Sequence, residues 1–324
     1  MALQRKPYTA ESGKNMTETD MIAILLASCN GEKYIAQQIE SLLKQTETGW
    51  ELFIHDDGST DRTLEILRGY EARYPDRIHI LDGPPCGGAK DNFLWMMRNV
   101  RAPYVMFCDQ DDVWLPEKVE LTLGEMKRLE AKHGKDKPLL VFTDLCVTDE
   151  GLHPIAARMS AYQKLDPGRT KPKNLMIQNV ITGCAVMINR ALAVFAAKPE
   201  NTDEIIMHDW WCALLAASFG AVSYVDRALV LYRQHGGNSV GAKNLNSLRY
   251  LTAQIKRPAD IKKSLLATQR QAALLAKTFP AADAIFREYG ELGGKRKGER
   301  LRFYARNGIW KSGWQRNLGL LAWG

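Results

Sequence analysis

The chain has 324 residues, enough for one large α/β domain with an appendage or for two domains. Its 45% hydrophobic and 25% charged residues are ordinary for a soluble globular protein, and no run of about 18 apolar residues offers a membrane-spanning helix. The net charge of +7 is unevenly spread: residues 241–324 hold 17 Lys/Arg and 5 Asp/Glu, a net of +12, which leaves −5 on residues 1–240. Such a tail reads either as a site for an anionic partner or as a solvated helical face.

Residues 1–19 lack the apolar core of a signal peptide and read as a flexible leader. The strand and helix signals then alternate. "MIAILLAS" (21–28) reads as a buried strand, and Ile35, Ile39, Leu42 and Leu43 follow helical spacing. "ELFIHDD" is a second strand, followed by a helix marked by Leu64, Leu67, Tyr70 and Tyr74. "RIHIL" (77–81) is a third strand, "DNFLWMMRNV" a helix and "YVMFCD" a fourth strand. Val119, Leu123 and Met126 mark the helix that leads to "LLVFTD". This alternation predicts a mostly parallel sheet with helices on both faces. Beyond residue 150 the order is less regular. "VITGCAVMI" and "AVSYVDRALVLYR" read as strands, with the helix "DWWCALLAAS" between them. From about residue 245 the pattern is helical and basic, with breaks at Pro258, Pro280 and "GELGG". The six cysteines (Cys29, Cys86, Cys108, Cys146, Cys184, Cys212) contain no C-x-x-C pair and are expected as reduced, mostly buried thiols of a cytoplasmic protein.

Open α/β sheets bind ligands beyond the carboxyl ends of their strands. "SCNG", "HDDGST" and "CDQDD" all lie at such ends and should converge. "HDDGSTD" can be a helix-capping turn, but a carboxylate there also accepts the imide N–H of uracil or thymine; Asp57 fits that role, with Asp56 beside it. In "FCDQDDVW", Asp109, Asp111 and Asp112 repel one another unless a positive partner joins them. Hard oxygen ligands in this pattern suit Mg²⁺ or Mn²⁺ bridging a diphosphate. "HDWW" places Asp209 at a helix start, as an N-cap or as a general base that takes a proton from an acceptor hydroxyl. "YRQHGGNSVG" offers Arg233 for phosphate oxygens and His235 for a metal shell. "GPPCGGAK" fails as a Walker loop because Ala89 stands where lysine is required, and no G-x-S-x-G string occurs.

Together, "LLASCNGEKYIAQQIESLLKQT", "ELFIHDDGSTDRTLEIL", "DQDDVWLPEKVE", "ITGCAVMINR", "HDWW" and "YRQHGGNSVG" resemble the inverting glycosyltransferases of family 2, across about residues 20–241. The likeness is strongest to the bacterial rhamnosyltransferase-like branch. It implies a GT-A fold with a nucleotide-sugar half over about 20–115, an acceptor half over about 116–241, and a helical basic region over 242–324. It implies nucleotide-sugar contacts from Ala27, Cys29, Asn30, Asp56, Asp57, Lys90, Asn92, Asp109, Gln110 and Arg233. Asp109, Asp111 and His235 would serve the metal, and Asp209 would be the base. Gly183, Cys184, His208 and Trp210 would line the acceptor side. Cys29 departs from the aromatic residue typical of the branch. The implied donor is dTDP- or UDP-linked, with dTDP-L-rhamnose favoured over a UDP-hexose. The implied acceptor is a saccharide or lipid-linked saccharide of O-antigen or capsule; nucleic acid is not an expected partner.

Two rival classes are a metal-dependent nucleotidyltransferase and a non-catalytic basic binding protein. The first calls for a glycine-rich basic loop where this chain has "SCNGEKY"; the second leaves Asp57, Asp111 and Asp209 idle. In the tail, "RLRFYARNGIWKSGWQRNLGLLAWG" mixes cations with Trp310, Trp314, Leu318, Leu320, Leu321 and Trp323. That pattern suits peripheral docking on the inner membrane face, or packing on the body or on a second subunit of a homodimer.

Overall fold

The computed structural model describes residues 21–236 and 258–323. The leader at 1–19, the end of "YRQHGGNSVG" and residues 242–257 of the basic region lie outside the described residues. In the first half, four strands alternate with three helices. The strands are β1 (Ile22–Ser28), β2 (Trp50–Asp56), β3 (Ile78–Ile80) and β4 (Tyr104–Asp109). The helices are α1 (Ile35–Leu43), α2 (Thr63–Arg73) and α3 (Ala89–Asn99). β1 is apolar along its length because it is covered on both faces. Ala23 and Leu25 enter one core layer, and Ile22, Ile24 and Leu26 enter the other.

The second half contains β5 (Val113–Trp114), α4 (Lys118–His133), β6 (Leu139–Thr148) and β7 (Pro154–Ala156). The short helices α5 (Met159–Tyr162) and α6 (Pro172–Leu175) follow. A 3₁₀ turn (Gly183–Ala185) then leads to β8 (Val186–Asn189), α7 (Arg190–Ala196), α8 (His208–Phe219) and β9 (Ala221–Arg233). Strand order is β3-β2-β1-β4-β8-β6-β9-β5, with β7 on β6. The pairs among β1–β4 are parallel, as is β6 with β9. β8 is antiparallel to both β4 and β6, and β5 to β9. The sheet is therefore parallel in its first half and mixed in its second.

"VITGCAVMI" is only half strand. Gly183 lies so close to α8 that a Cβ there would stand 2.9 Å from His208 Nε2, and the chain turns before it extends.

The C-terminal helices are α9 (Pro258–Thr278), α10 (Ala284–Gly290), α11 (Lys297–Asn307) and α12 (Trp314–Trp323). Leu275, Phe286, Tyr289, Tyr304, Ile309 and Leu320 join the core layer that holds α3, α7 and α8. Full burial of such side chains contributes about 1.5–3 kcal/mol each. This part of the tail packs on the body.

Candidate functional site

The parallel register aligns the strand ends: Ser28 pairs with Asp56, and Ala27 with Asp109. The loops after β1, β2 and β4 therefore open on one side, into a cavity of about 890 Å³. Ala27, Cys29, Asp57, Asp109 and Gln110 line it from the strand ends, together with Asp111 and with Asn92 of α3. Gln110 ties two loops: its Oε1 accepts from the Cys29 N–H at 2.9 Å and its Nε2 donates to the Cys29 carbonyl at 2.9 Å. A Cβ at Gly31 would fall 2.2 Å from Gln110 Oε1, so a side chain there would displace the Gln110 amide from Cys29.

Asp57 is gripped by the loop read as a failed phosphate cradle. Its Oδ1 accepts from the backbone N–H of Cys86, and of Gly87 at 3.0 Å; its Oδ2 accepts from Gly88 N–H at 2.6 Å. Gly87 and Gly88 have φ of 81° and 142°, in the region that favours glycine. A carboxylate has about four lone-pair sites, so one direction remains for a further donor.

Asp56 and Asn30 instead stitch the loops. Asp56 accepts from Ser28 Oγ at 2.9 Å and from Ser59 N–H at 2.7 Å, and Asn30 Oδ1 accepts from Thr60 N–H at 2.8 Å. Lys90 points off the cavity, donating to the Thr202 carbonyl at 3.1 Å. Asn92 lines the cavity while its amide holds His55.

The three carboxylates of "DQDD" part company. Asp109 and Asp111 face the cavity, and Asp111 Oδ2 lies 2.7 Å from His235 Nε2. Asp112 is fully buried, and its Oδ1 accepts the Arg233 N–H at 3.1 Å. Behind it lies Lys118, also fully buried, with its Nζ 2.9 Å from the Trp114 ring centroid. Burial lowers the Lys118 ammonium to about 7, against the charges around it. Burial, and then Asp109 and Asp111, push Asp112 well above the carboxylate range.

Burial, then Asp111 and Asp209, push Asp109 up to about 7. This excess of negative charge at a hard-oxygen pair fits a divalent cation. Asp109, Asp112 and Cys184 also have ligand atoms within 4.8 Å of one another. Asp112 and Cys184 are buried and do not line the cavity, so Asp109 with Asp111 is the carboxylate pair of this cluster that opens on it.

Two expected contacts sit elsewhere. The guanidinium of Arg233 is committed to the carbonyls of Asp111 (2.8 Å) and Glu150 and to Gln37 Oε1 (2.6 Å), which braces the Asp111 loop rather than facing the cavity. Cys184 lies beneath the wall expected to face the acceptor, not on it.

That wall is built by α8, the 3₁₀ turn and the segment from Phe142 to Pro167. Asp209, in the first turn of α8, lines the cavity. Its Oδ1 accepts from Trp210 N–H at 2.6 Å and its Oδ2 from Asn179 Nδ2 at 3.4 Å, with Gly183 N–H as a further donor. Burial raises its carboxyl to about 6 despite these donors. Gly183 and Trp210 also line the cavity, and Trp210 Nε1 donates to the Leu175 carbonyl. His208 packs against Phe93 and Phe107, and burial lowers it to about 3, so it stays neutral.

Sequence reasoning missed Asn179, whose signal was a polar "QN" before an apolar run. It also missed Asp144 on β6, which accepts from Tyr224 Oη at 3.1 Å and from Ser160 and stiffens the same wall. Lys118, just beyond the "DQDD" turn, was likewise passed over.

Residues 23–134 match the family model for Glycosyl transferase family 2. The chain is 29% identical over 229 residues to the dTDP-rhamnosyl transferase RfbG of Shigella flexneri, covering 67% of this chain and 74% of that protein. It is 31% identical over 107 residues to the UDP-Glc:alpha-D-GlcNAc-diphosphoundecaprenol beta-1,3-glucosyltransferase WfgD of Escherichia coli, covering 33% of this chain and 41% of that protein. The crystal structure of S. aureus TarS 1-349 in complex with UDP is similar in fold, with a TM-score of 0.52 at 16% identity, over 89% of this chain and 74% of that one. A parallel first-half sheet, three strand ends opening on one cavity and the family match agree: residues 23–134 match the family 2 glycosyltransferases, on a GT-A-like fold.

Proposed function

We propose that the chain is an inverting, metal-dependent transferase that moves L-rhamnose from dTDP-L-rhamnose to a hydroxyl of a lipid-linked saccharide in surface-polysaccharide synthesis. The observation that carries the reaction type is Asp209. It enters from α8 the cavity that Asp57, Asp109 and Asp111 enter from the strand ends. With one base and no second carboxylate assigned as nucleophile, the chemistry is a single displacement. Asp209 accepts the proton of the acceptor hydroxyl as that oxygen bonds the anomeric carbon. The carbon–oxygen bond to the diphosphate breaks on the opposite side, so configuration inverts, through an oxocarbenium-like transition state by analogy with glycoside hydrolysis. Asp57 receives the imide N–H of the base. Asp109 and Asp111 would hold Mg²⁺ or Mn²⁺, which offsets the negative charge growing on the leaving diphosphate.

The sugar and acceptor rest on the likeness to RfbG over two thirds of the chain and on the undecaprenol-linked acceptor in the name of WfgD. A UDP-hexose donor is the second reading, because Asp57 accepts from uracil as readily as from thymine. Incubation with dTDP-rhamnose or UDP-hexoses and a diphosphate-lipid saccharide, followed by mass spectrometry of the lipid, tests both. Transfer from UDP-hexoses alone overturns the rhamnosyl assignment; no transfer or diphosphate release from any donor overturns the enzyme reading.

A further inference from the structure

Six large hydrophobic side chains are exposed among the described residues: Ile155, Val194, Leu266, Trp314, Leu318 and Leu321. The first three are scattered. The last three lie on α12 at spacings of four and three, which is one helical face, and are 64%, 54% and 44% exposed. The inward face meets the body through Leu320, which is buried in the core, while Asn317 holds Lys311 and Gly313 of the turn that precedes the helix. Isolated exposed apolar residues need no explanation, but a row of them on one helix does.

The neighbouring surface supplies its chemistry. Lys295, Arg296 and Lys297 are exposed at the start of α11, and Lys297 Nζ donates to the Ala322 carbonyl at 2.8 Å. That contact joins the cationic end of α11 to the apolar end of α12. Arg302 adds exposed charge further along α11, where Arg306 is paired with Glu288 at 3.0 Å. An apolar stripe with Trp and Leu beside a cationic edge matches the headgroup–acyl boundary of an anionic bilayer, where rings and aliphatic chains insert and Lys/Arg meet phosphate. A second copy of this chain would bring like charges together at the same edge.

The placement also matters. Arg316, on α12, donates to the carbonyls of Gln163 (2.6 Å) and Lys164 (3.1 Å), and Gln163 lines the cavity. Ser312 N–H donates to Gln178 Oε1 at 2.6 Å, one residue before Asn179. The stripe is thus fixed to the wall that carries Asp209's partner.

We propose that the Trp314–Leu318–Leu321 face, with Lys295–Lys297 beside it, docks the protein on an anionic phospholipid surface. Docking brings the acceptor wall to the bilayer, where a lipid-linked hydroxyl would be met. The purpose rests on the lipid-linked acceptor proposed above; the docking itself does not.

The test is co-sedimentation of the full chain with phosphatidylcholine vesicles, with and without about one-third phosphatidylglycerol. Wild type should bind the anionic vesicles at least about tenfold more tightly, and lose that preference as salt shortens the screening length. The triple variant Trp314→Ser, Leu318→Ser, Leu321→Ser should lose about tenfold or more in binding, at unchanged circular dichroism and with transfer to a soluble acceptor retained. Lys295→Glu with Lys297→Glu should lose the anionic preference alone. Indifference of wild type to anionic vesicles at low salt overturns the proposal, as does equal binding by the triple variant. So does a wild-type dimer, by light scattering, that the triple variant splits. Binding needs no turnover, so an inactive protein that still sediments fails the transferase reading and leaves the docking intact.

Discussion

The two walls of the cavity are held together in different ways. The wall at the strand ends is held mostly within the first half of the chain: Gln110 pins Cys29, Asp56 pins Ser28 and Ser59, and the 86–88 backbone grips Asp57, while Arg233 and His235 reach only the Asp111 turn. The acceptor wall borrows its support. Arg169 donates to the Trp310 carbonyl, Lys173 Nζ to Asn307 O at 3.4 Å, and Arg316 to Gln163 and Lys164, contacts that reach across more than 130 residues. A wall built from local hydrogen bonds keeps its shape when a distant region changes. A wall braced by a remote helix does not, so acceptor preference and donor preference should respond to different mutations.

The sharpest break comes at Asp209. Asp209→Asn should lower kcat by about 10²–10⁴-fold and leave dTDP affinity by calorimetry within about twofold, because only the proton acceptor is lost. A general base works deprotonated, and the Asp209 carboxyl, proposed for that role, is raised to about 6. The rate of the wild type without added proton acceptors should therefore rise with pH through about 6 and level off above it. A flat profile from pH 5 to 7 would speak against Asp209, as would a variant with raised donor KM and normal kcat.

On the nucleotide side, Asp111→Asn should weaken metal-dependent nucleoside diphosphate binding by about 10–100-fold, the scale seen when the environment of a metal site is disturbed. Calorimetry with Mn²⁺ and then EDTA reads it; equal affinity in both conditions for wild type would remove the metal from the donor site.

Smaller effects sharpen the contrast. Arg316→Ala removes two hydrogen bonds to the acceptor wall. At about 1 kcal/mol for a typical hydrogen bond, acceptor KM should rise between about fivefold, for the loss of one bond, and about thirtyfold, for both, with donor KM unchanged. Gly87→Ala places a side chain at a φ of 81°. The strain, about 1–3 kcal/mol if the loop keeps its shape, should raise donor KM a few-fold and leave acceptor KM alone. If either variant moved both constants equally, the walls would not be separate.

The same contrast governs what was legible in the sequence. β1 to β4, their helices and the convergence of "SCNG", "HDDGST" and "CDQDD" follow from periodicity and from the strand-end rule, because parallel crossovers leave few alternatives. The reversal of β8 was not legible: Gly183's contact with His208 forms between segments distant in sequence. Residue type also misled where a polar side chain serves the scaffold. Arg233 and Lys90 carry charges suited to phosphate, yet backbone carbonyls take them. "DQDD" reads as one acidic cluster, but a turn sends Asp112 inward toward Lys118 while its neighbours face out. The tail's composition allowed packing or docking, and the structure divides it: Ile309 and Leu320 turn inward, Trp314 and Leu318 outward. A helix can satisfy both demands because its two faces are independent.

The grip of the 86–88 backbone on Asp57 has a consequence for redesign. A carboxylate whose position depends on three N–H groups cannot be exchanged alone. Asn in its place would turn an amide N–H toward backbone N–H groups, and the loop would let go. On the proposed reading of Asp57 as the contact to the base, retargeting to a guanine or cytosine donor means transplanting two separated stretches together, the turn after β2 and the "GPPCGG" loop, as one graft. Libraries that randomise position 57 by itself should return inactive clones, whereas paired grafts keep both halves of the grip.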